Sequence, residues 1–414
     1  MIRSRATAPG LKHLVFFEVL EEAQEHTHRY DATTAGLLVL RLLDHWKLAG
    51  PVMVEPESVS MKSVRDAVMC LEANDPSREL LLGVVNAMQT LREVDIPPIL
   101  PRLFAYAGCL EQRAELTLAA DVYGTIARLA EEAFDGDLLL ESLLRLAYCQ
   151  RTLGALPEAE RSYADVGRIA KKRKDVAGVM RAQIGIAVVA LTRGNLPKAE
   201  EVLAHVATES ARAGCRPEHA RALHVQATVA FRRGAVGGAV RLGYAALQLT
   251  EAPRERDLIL NDIAAYLITT GRHAAARDAL MILEATAGSE IARLAARVNM
   301  VALGARAKDE GLFRSARTKI DAETLPAELR VNYLIESARG IRCFGDADAA
   351  TRLLEEARDL ATALQLNRSV FEVDEMLAER PTDVRATRGD TRVPDSDAAG
   401  DVEEALRAMA AAVA

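Results

Sequence analysis

Two segments of the chain align without a gap forty residues apart, LAYCQRTLGALPEAERSYADV at 146–166 and IAVVALTRGNLPKAEEVLAHV at 186–206. Each has a small residue, six further residues, a glycine, one residue, then Leu-Pro-x-Ala-Glu. Such a repeat constrains the fold more than any other feature, because a unit too small to bury its apolar face alone must stack on its neighbours. Gly234 continues the step of 40, and Gly271, Gly311 and Gly345 extend the series at steps of 37, 40 and 34. Counting back 40 from Gly154 reaches Ala114, where the glycine is lost and the surrounding pattern survives. The sequence therefore predicts seven units with turns at 114, 154, 194, 234, 271, 311 and 345.

Each unit reads as two helices. The glycine takes a left-handed conformation at the end of the first, where a Cβ would clash. Pro157 and Pro197 suit the first turn of the second, where a missing N–H costs nothing. Five residues beyond each turn stands an alanine: Ala119, Ala159, Ala199, Ala239, Ala276, Ala316 and Ala350. A side chain that small lets the two helices of a hairpin approach closely. Later apolar positions keep helical spacing, as in Leu196, Ala199, Val202, Leu203 and Val206. Composition agrees, with 50% hydrophobic residues but only 4% aromatic.

These residues resemble the tetratricopeptide repeat family, whose pattern is a small residue, a turn glycine, then alanine in the second helix. Ala147, Gly154 and Ala159 match it, as do Ala187, Gly194 and Ala199, and Ala227, Gly234 and Ala239. The family's opening tryptophan and closing proline are absent, and the 40-residue period exceeds its usual length of about 34. The longer form looks like the solenoid modules of bacterial signalling and regulatory proteins. Covering roughly residues 98–366, the resemblance implies an all-α, right-handed superhelical solenoid of antiparallel helical hairpins.

It also implies a concave groove lined by the first helices, at positions 13, 10, 6, 3 and 2 before each turn glycine. Carried onto this chain, these are Glu141, Leu144, Tyr148, Arg151 and Thr152, then Arg181, Ile184, Val188, Leu191 and Thr192. The next unit supplies Arg221, His224, Thr228, Phe231 and Arg232, and the last adds Arg339 and Arg342. Arginines among apolar residues suit an acidic peptide. The alternative is that these arginines pair with neighbouring glutamates.

Residues 1–95 read as an N-terminal helical cap or degenerate repeats, with Asp31, Ser58 or Ser60, and Asp75 opening helices. Residues 96–380 carry the seven repeats plus a capping helix from Asn367 to Arg380. Residues 381–399 read as a polar, flexible linker, and 400–414 as a short amphipathic helix bearing Leu406, Met409 and Val413. The acidic stretch of Asp395, Asp397, Asp401, Glu403 and Glu404 offers a self-inhibitor for the arginine-bearing groove.

Nothing points to chemistry. No phosphate-binding loop, no GxSxG and no HExxH occurs. His26 and His28 are two apart and would diverge on a helix. Cys70, Cys109, Cys149, Cys215 and Cys343 are scattered without a CxxC pair, so neither zinc nor a disulfide framework is expected. Lys171 to Lys174 fall at a helix end, where the dipole favours cations. A net charge of −7 argues against coating nucleic acid, and no run of about 18 apolar residues suggests a membrane span. The expectation is a cytoplasmic, non-catalytic scaffold or adaptor, without cofactor or metal, that binds a protein or peptide. Alternatives are a peptide-sensing module of a bacterial signalling or transcription system, and a structural protein self-associating through its end hairpins or C-terminal helix.

Overall fold

The computed structural model describes residues 12–23, 27–49, 59–90, 96–113, 115–288, 290–322, 325–364, 366–378 and 400–413. Among the described residues there are twenty helices and no strand. The chain divides into two compact units, Met1–Val189 and Ala190–Ala414. The first holds α1 (Leu14–Glu22), α2 (His28–Ala49), α3 (Val59–Met69), α4 (Pro76–Thr90), α5 (Leu100–Gln112), α6 (Leu116–Glu132), α7 (Gly136–Thr152), α8 (Leu156–Arg173) and most of α9 (Val176–Thr192). The second holds α10 (Leu196–Ala213), α11 (Arg216–Arg232), α12 (Val236–Leu249), α13 (Pro253–Thr269), α14 (His273–Thr286), α15 (Glu290–Ala307), α16 (Glu310–Thr318), α17 (Ala327–Cys343), α18 (Ala347–Ala363), α19 (Asn367–Ala378) and α20 (Gly400–Val413). Within each unit, helices adjacent in sequence pack as antiparallel hairpins, so the fold is an all-α helical-repeat solenoid.

The left-handed turn is the local device that makes the hairpins. Gly154, Gly194, Gly234, Gly271 and Gly345 all have φ between 73° and 107°. Beyond each, a backbone N–H reaches back to the last turn of the preceding helix, as Ala155 N to Gln150 O (2.8 Å) and Arg272 N to Leu267 O (3.0 Å). The packing alanines Ala119, Ala159, Ala199, Ala239, Ala276 and Ala350 are fully buried. The expected turn at 114 lies outside the described residues.

The sixth unit departs from the sequence reading. Gly311 lies inside α16, and the left-handed residue is Lys308 (φ 56°). Asp309 then caps α16, its carboxylate accepting from Leu312 N at 2.9 Å. Gly271, Lys308 and Gly345 are therefore two even steps of 37 apart, not 40 and 34. The sequence series followed glycine, and here the chain places a lysine in glycine's conformation.

Moving the turn also moves the packing residue. Five places after Lys308 stands Phe313, 3% exposed, where the other units have alanine. Two glycines make room for it. A Cβ on Gly304 would stand 2.6 Å from the Phe313 backbone nitrogen, and one on Gly340 would stand 2.2 Å from its ring. Bulk has passed from the first helices to the second.

A second left-handed series, Phe134, Lys174 and Gly214, closes the second helices α6, α8 and α10 at steps of 40. It stops after α10, and the period drops from 40 to 37 in the next unit, where α12 ends on an extended Thr250. The second helices explain the drop: α8 and α10 have 18 residues, whereas α12 and α14 have 14, roughly one turn fewer. At the shortened ends, arginines cap the open carbonyls. Arg216 donates to Leu249 O (3.1 Å), Arg256 to Thr250 O (3.0 Å) and Arg293 to Ala287 O (2.7 Å).

Two features of the ends differ from or extend the sequence reading. Helix α2 begins at His28, with the Thr27 hydroxyl accepting from Tyr30 N at 3.2 Å, so Asp31 sits in the first turn rather than at the cap. Ser58 lies outside the described residues. Asp75 caps α4 by accepting from Ser77 N at 2.7 Å. Trp46 is buried in the first unit's core with Phe16, Leu40, Leu43 and Tyr106.

The first unit also contains a buried charge cluster that ties α1 down. His13 Nδ1 meets the Asp121 carboxylate of α6, and Nε2 lies 3.4 Å from that of Asp44 in α2. Lys12 pairs with the same Asp44 at 2.7 Å. Burial opposes a charge on His13, but the two carboxylates outweigh it and raise its pKa to about 9.

Helix α20 packs against α14 and α12, burying Val402, Leu406 and Ala410 in the second unit's core. Glu403 forms an ion pair with Arg272 at the start of α14. The described part of the acidic tail thus sits on second helices, away from the first-helix arginines that the sequence reading offered it. Residues 381–399, including Asp395 and Asp397, lie outside the described residues.

Candidate functional site

The first helices of the second unit touch one another through polar side chains, about one repeat apart. His224 Nε2 of α11 meets Asp262 of α13 at 2.9 Å, and the Thr228 hydroxyl meets Tyr266 Oη at 3.2 Å. Phe231 stacks on Tyr266 with ring centroids 4.6 Å apart. Asn299 of α15 donates to the Asn261 side chain of α13 at 2.8 Å. Arg306 of α15 pairs with Glu336 of α17 (3.3 Å), and Arg339 of α17 with Glu372 of α19 (2.9 Å). This is one continuous face, because each helix presents its residues to the next at the repeat spacing.

In the first unit the same kind of face carries Arg145 with Glu111 (3.3 Å) and Arg181 with Glu141 (2.7 Å). Arg151 lies over the Tyr148 ring, 5.3 Å from its centroid. Burial pushes the Cys149 thiol up to about 12, with the Glu111 charge adding to it, so this cysteine is a protonated packing residue.

Of the residues singled out by register, Arg181, Arg221 (with Glu255, 3.1 Å), His224 and Arg339 already face carboxylates. Arg342 donates to Met376 O at 2.7 Å. Arg232 donates to Leu191 O at 2.9 Å and has no carboxylate partner among the described residues. The arginine row is therefore largely neutralised within the protein. An exposed ion pair of this kind is worth about 0–1 kcal/mol, so these pairs can exchange partners at little cost.

Asn261, Asp262, Tyr266 and Asn299 belong to the same face but were not singled out from sequence. The signal for the first lay in the repeat register, since Asn261 stands ten before Gly271 as His224 stands ten before Gly234. Half-buried carboxamides are suited to an extended backbone, because each offers a donor and an acceptor. Among the described residues no group of His, Cys, Asp or Glu could hold a metal ion, and no helix is long and apolar enough to cross a membrane.

No known family model matches the sequence, and no curated protein does. Solved structures do. A Rap conjugation gene regulator of the plasmid pLS20, in complex with the Phr* peptide, superposes with a TM-score of 0.52 at 12% identity, over 80% of this chain and 96% of that one. A Rap protein complexed with Competence and Sporulation Factor gives 0.52 and 12%, over 80% and 99%. At that identity the likeness shows the fold, a helical-repeat array of the tetratricopeptide kind.

Proposed function

We propose that the chain is a non-catalytic regulator of the long-period bacterial tetratricopeptide type, and that its first-helix face in the second unit binds an extended peptide. The observation that carries this reading is the polar ladder of His224, Thr228, Asn261, Asp262 and Asn299 beside the Phe231–Tyr266 stack. Groups at the repeat spacing match a ligand that is itself a polymer with repeating donors and acceptors. The pLS20 Rap regulator, of like fold, was solved with a peptide, which adds support.

Peptide sensing is favoured over a passive scaffold because the face is held by weak contacts between successive helices. A ligand that replaces those contacts alters how neighbouring hairpins pack. Self-assembly through the end hairpins has no comparable observation behind it.

The test is capture of peptides from a synthetic octapeptide library on the immobilised full-length chain, read by mass spectrometry. Wild type should retain a subset, and Asn261→Ala with Asn299→Ala should lose most of it. A chain that retains nothing refutes the reading.

A further inference from the structure

Helix α20 breaks the order of the second unit. From α10 to α19, helices adjacent in sequence pack on one another, whereas α20 packs back on α14 and α12. Both are second helices, and they belong to consecutive hairpins, α11/α12 and α13/α14. Helix α20 sets one stripe at i, i+4 and i+8, Val402, Leu406 and Ala410, into the apolar cluster that these hairpins share. Its other described side chains are half-buried or exposed. Glu403 fastens the first turn of α20 to Arg272, at the corner between α13 and α14. The same two hairpins are incompletely packed at one edge. Helix α12 ends about a turn earlier than α10 and leaves a cavity of about 370 Å³, bounded by Pro217 and Ala220 of α11 and by Leu249 and Ala252 at the α12–α13 corner. On the first-helix side, the hairpins meet through His224–Asp262 and Thr228–Tyr266, the contacts of the candidate peptide face. One junction thus carries the polar face, a cavity and a helix laid across its back.

We infer that the α12–α13 junction is a hinge and that α20 is a releasable strap, which holds the hinge in its ligand-free arrangement and so opposes occupancy of the first-helix face. This rests on the peptide-binding reading above and assigns its regulation. A peptide that replaces the His224–Asp262 and Thr228–Tyr266 contacts changes the angle between the two hairpins, and the cavity gives that change room. A helix seated on both α12 and α14 fits one such angle, because packed interfaces have discrete arrangements rather than a continuous range. Three buried side chains and one ion pair hold α20, so it opens more readily than the array beneath it. Coupling between two sites is reciprocal: release of α20 strengthens peptide binding, and bound peptide loosens α20.

Two full-length variants test this, with helicity checked by circular dichroism. Leu406→Asp puts a charge into the apolar seat, Glu403→Lys sets a like charge against Arg272, and neither touches the first-helix face. Hydrogen–deuterium exchange should speed up in α20 of both variants, and with it in α11 and α13. Both should retain peptides from the octapeptide library about fivefold or more better than wild type. Adding the retained peptides to wild type should in turn speed exchange in α20. Should Leu406→Asp fail to fold, the surface variant Glu403→Lys decides alone. The inference is overturned, with peptide binding left standing, by unchanged exchange in α20 of the folded variants, or by a released α20 with α11 and α13 unchanged. Retention within about twofold of wild type, or below it, overturns it in the same way, as does an α20 that peptide leaves unchanged. Retention of no peptide by wild type overturns both.

Discussion

Lys308 and Gly311 give opposite predictions under the two possible registers of the sixth unit. In the structure Lys308 is left-handed and Gly311 is helical. Lys308→Gly should then stabilise, because a side chain in the left-handed region costs about 1–2 kcal/mol that glycine escapes. Part of that gain is returned through the freer unfolded chain, leaving about 1 kcal/mol. Gly311→Ala should also stabilise, by about 0.5–1 kcal/mol, since alanine is the better helix former. Its Cβ would meet nothing closer than an Asp309 carboxylate oxygen at 3.5 Å, an ordinary contact. For a unit of this size, about 1 kcal/mol raises the melting temperature by about 2–4 °C. Thermal melts followed by circular dichroism should show both single variants melting higher than wild type. Had the turn been at Gly311, both substitutions would lower it. A lower melting temperature for Gly311→Ala therefore refutes the assignment of the turn to Lys308.

Two further predictions concern packing and charge. Gly304→Ala improves helix propensity but drives a Cβ to 2.6 Å from the Phe313 backbone, which no rotamer change relieves, so it should destabilise by about 2 kcal/mol; melting at or above wild type would show that α15 and α16 are not so close. His13, with its pKa raised to about 9 from an ordinary 6.5, should contribute stability fully below about pH 6.5 and lose it as pH rises through 9, in total about 3 kcal/mol. Fluorescence of Trp46, buried in the same unit, reads this out: wild type should lose stability between pH 7 and 10 more steeply than His13→Gln, and parallel slopes would defeat the argument.

The repeat, the all-helical class and the turn glycines were legible in the sequence, because each depends on local backbone requirements. Only a residue without a Cβ occupies the left-handed region cheaply, so glycine at Gly154, Gly194, Gly234, Gly271 and Gly345 marks the hairpins directly. The same logic failed at Lys308, Phe134 and Lys174, where packing on either side imposes the conformation on residues that do not advertise it. Alanine at the helix crossing was legible too, but not its exchange for Phe313, which depends on Gly304 and Gly340 from two other helices.

For the candidate face, register alone placed arginines on the first helices. What it could not decide was their partners, since Glu255, Glu372 and the Met376 carbonyl come from other helices 34, 33 and 34 residues away. Nor could it place α20, whose amphipathic pattern requires an apolar seat without specifying which one. Sequence by itself thus determined the hairpins and their spacing, through local conformational preference. Tertiary structure decided which charges remain uncompensated, because electrostatic pairing acts through space between residues that the chain order does not bring together.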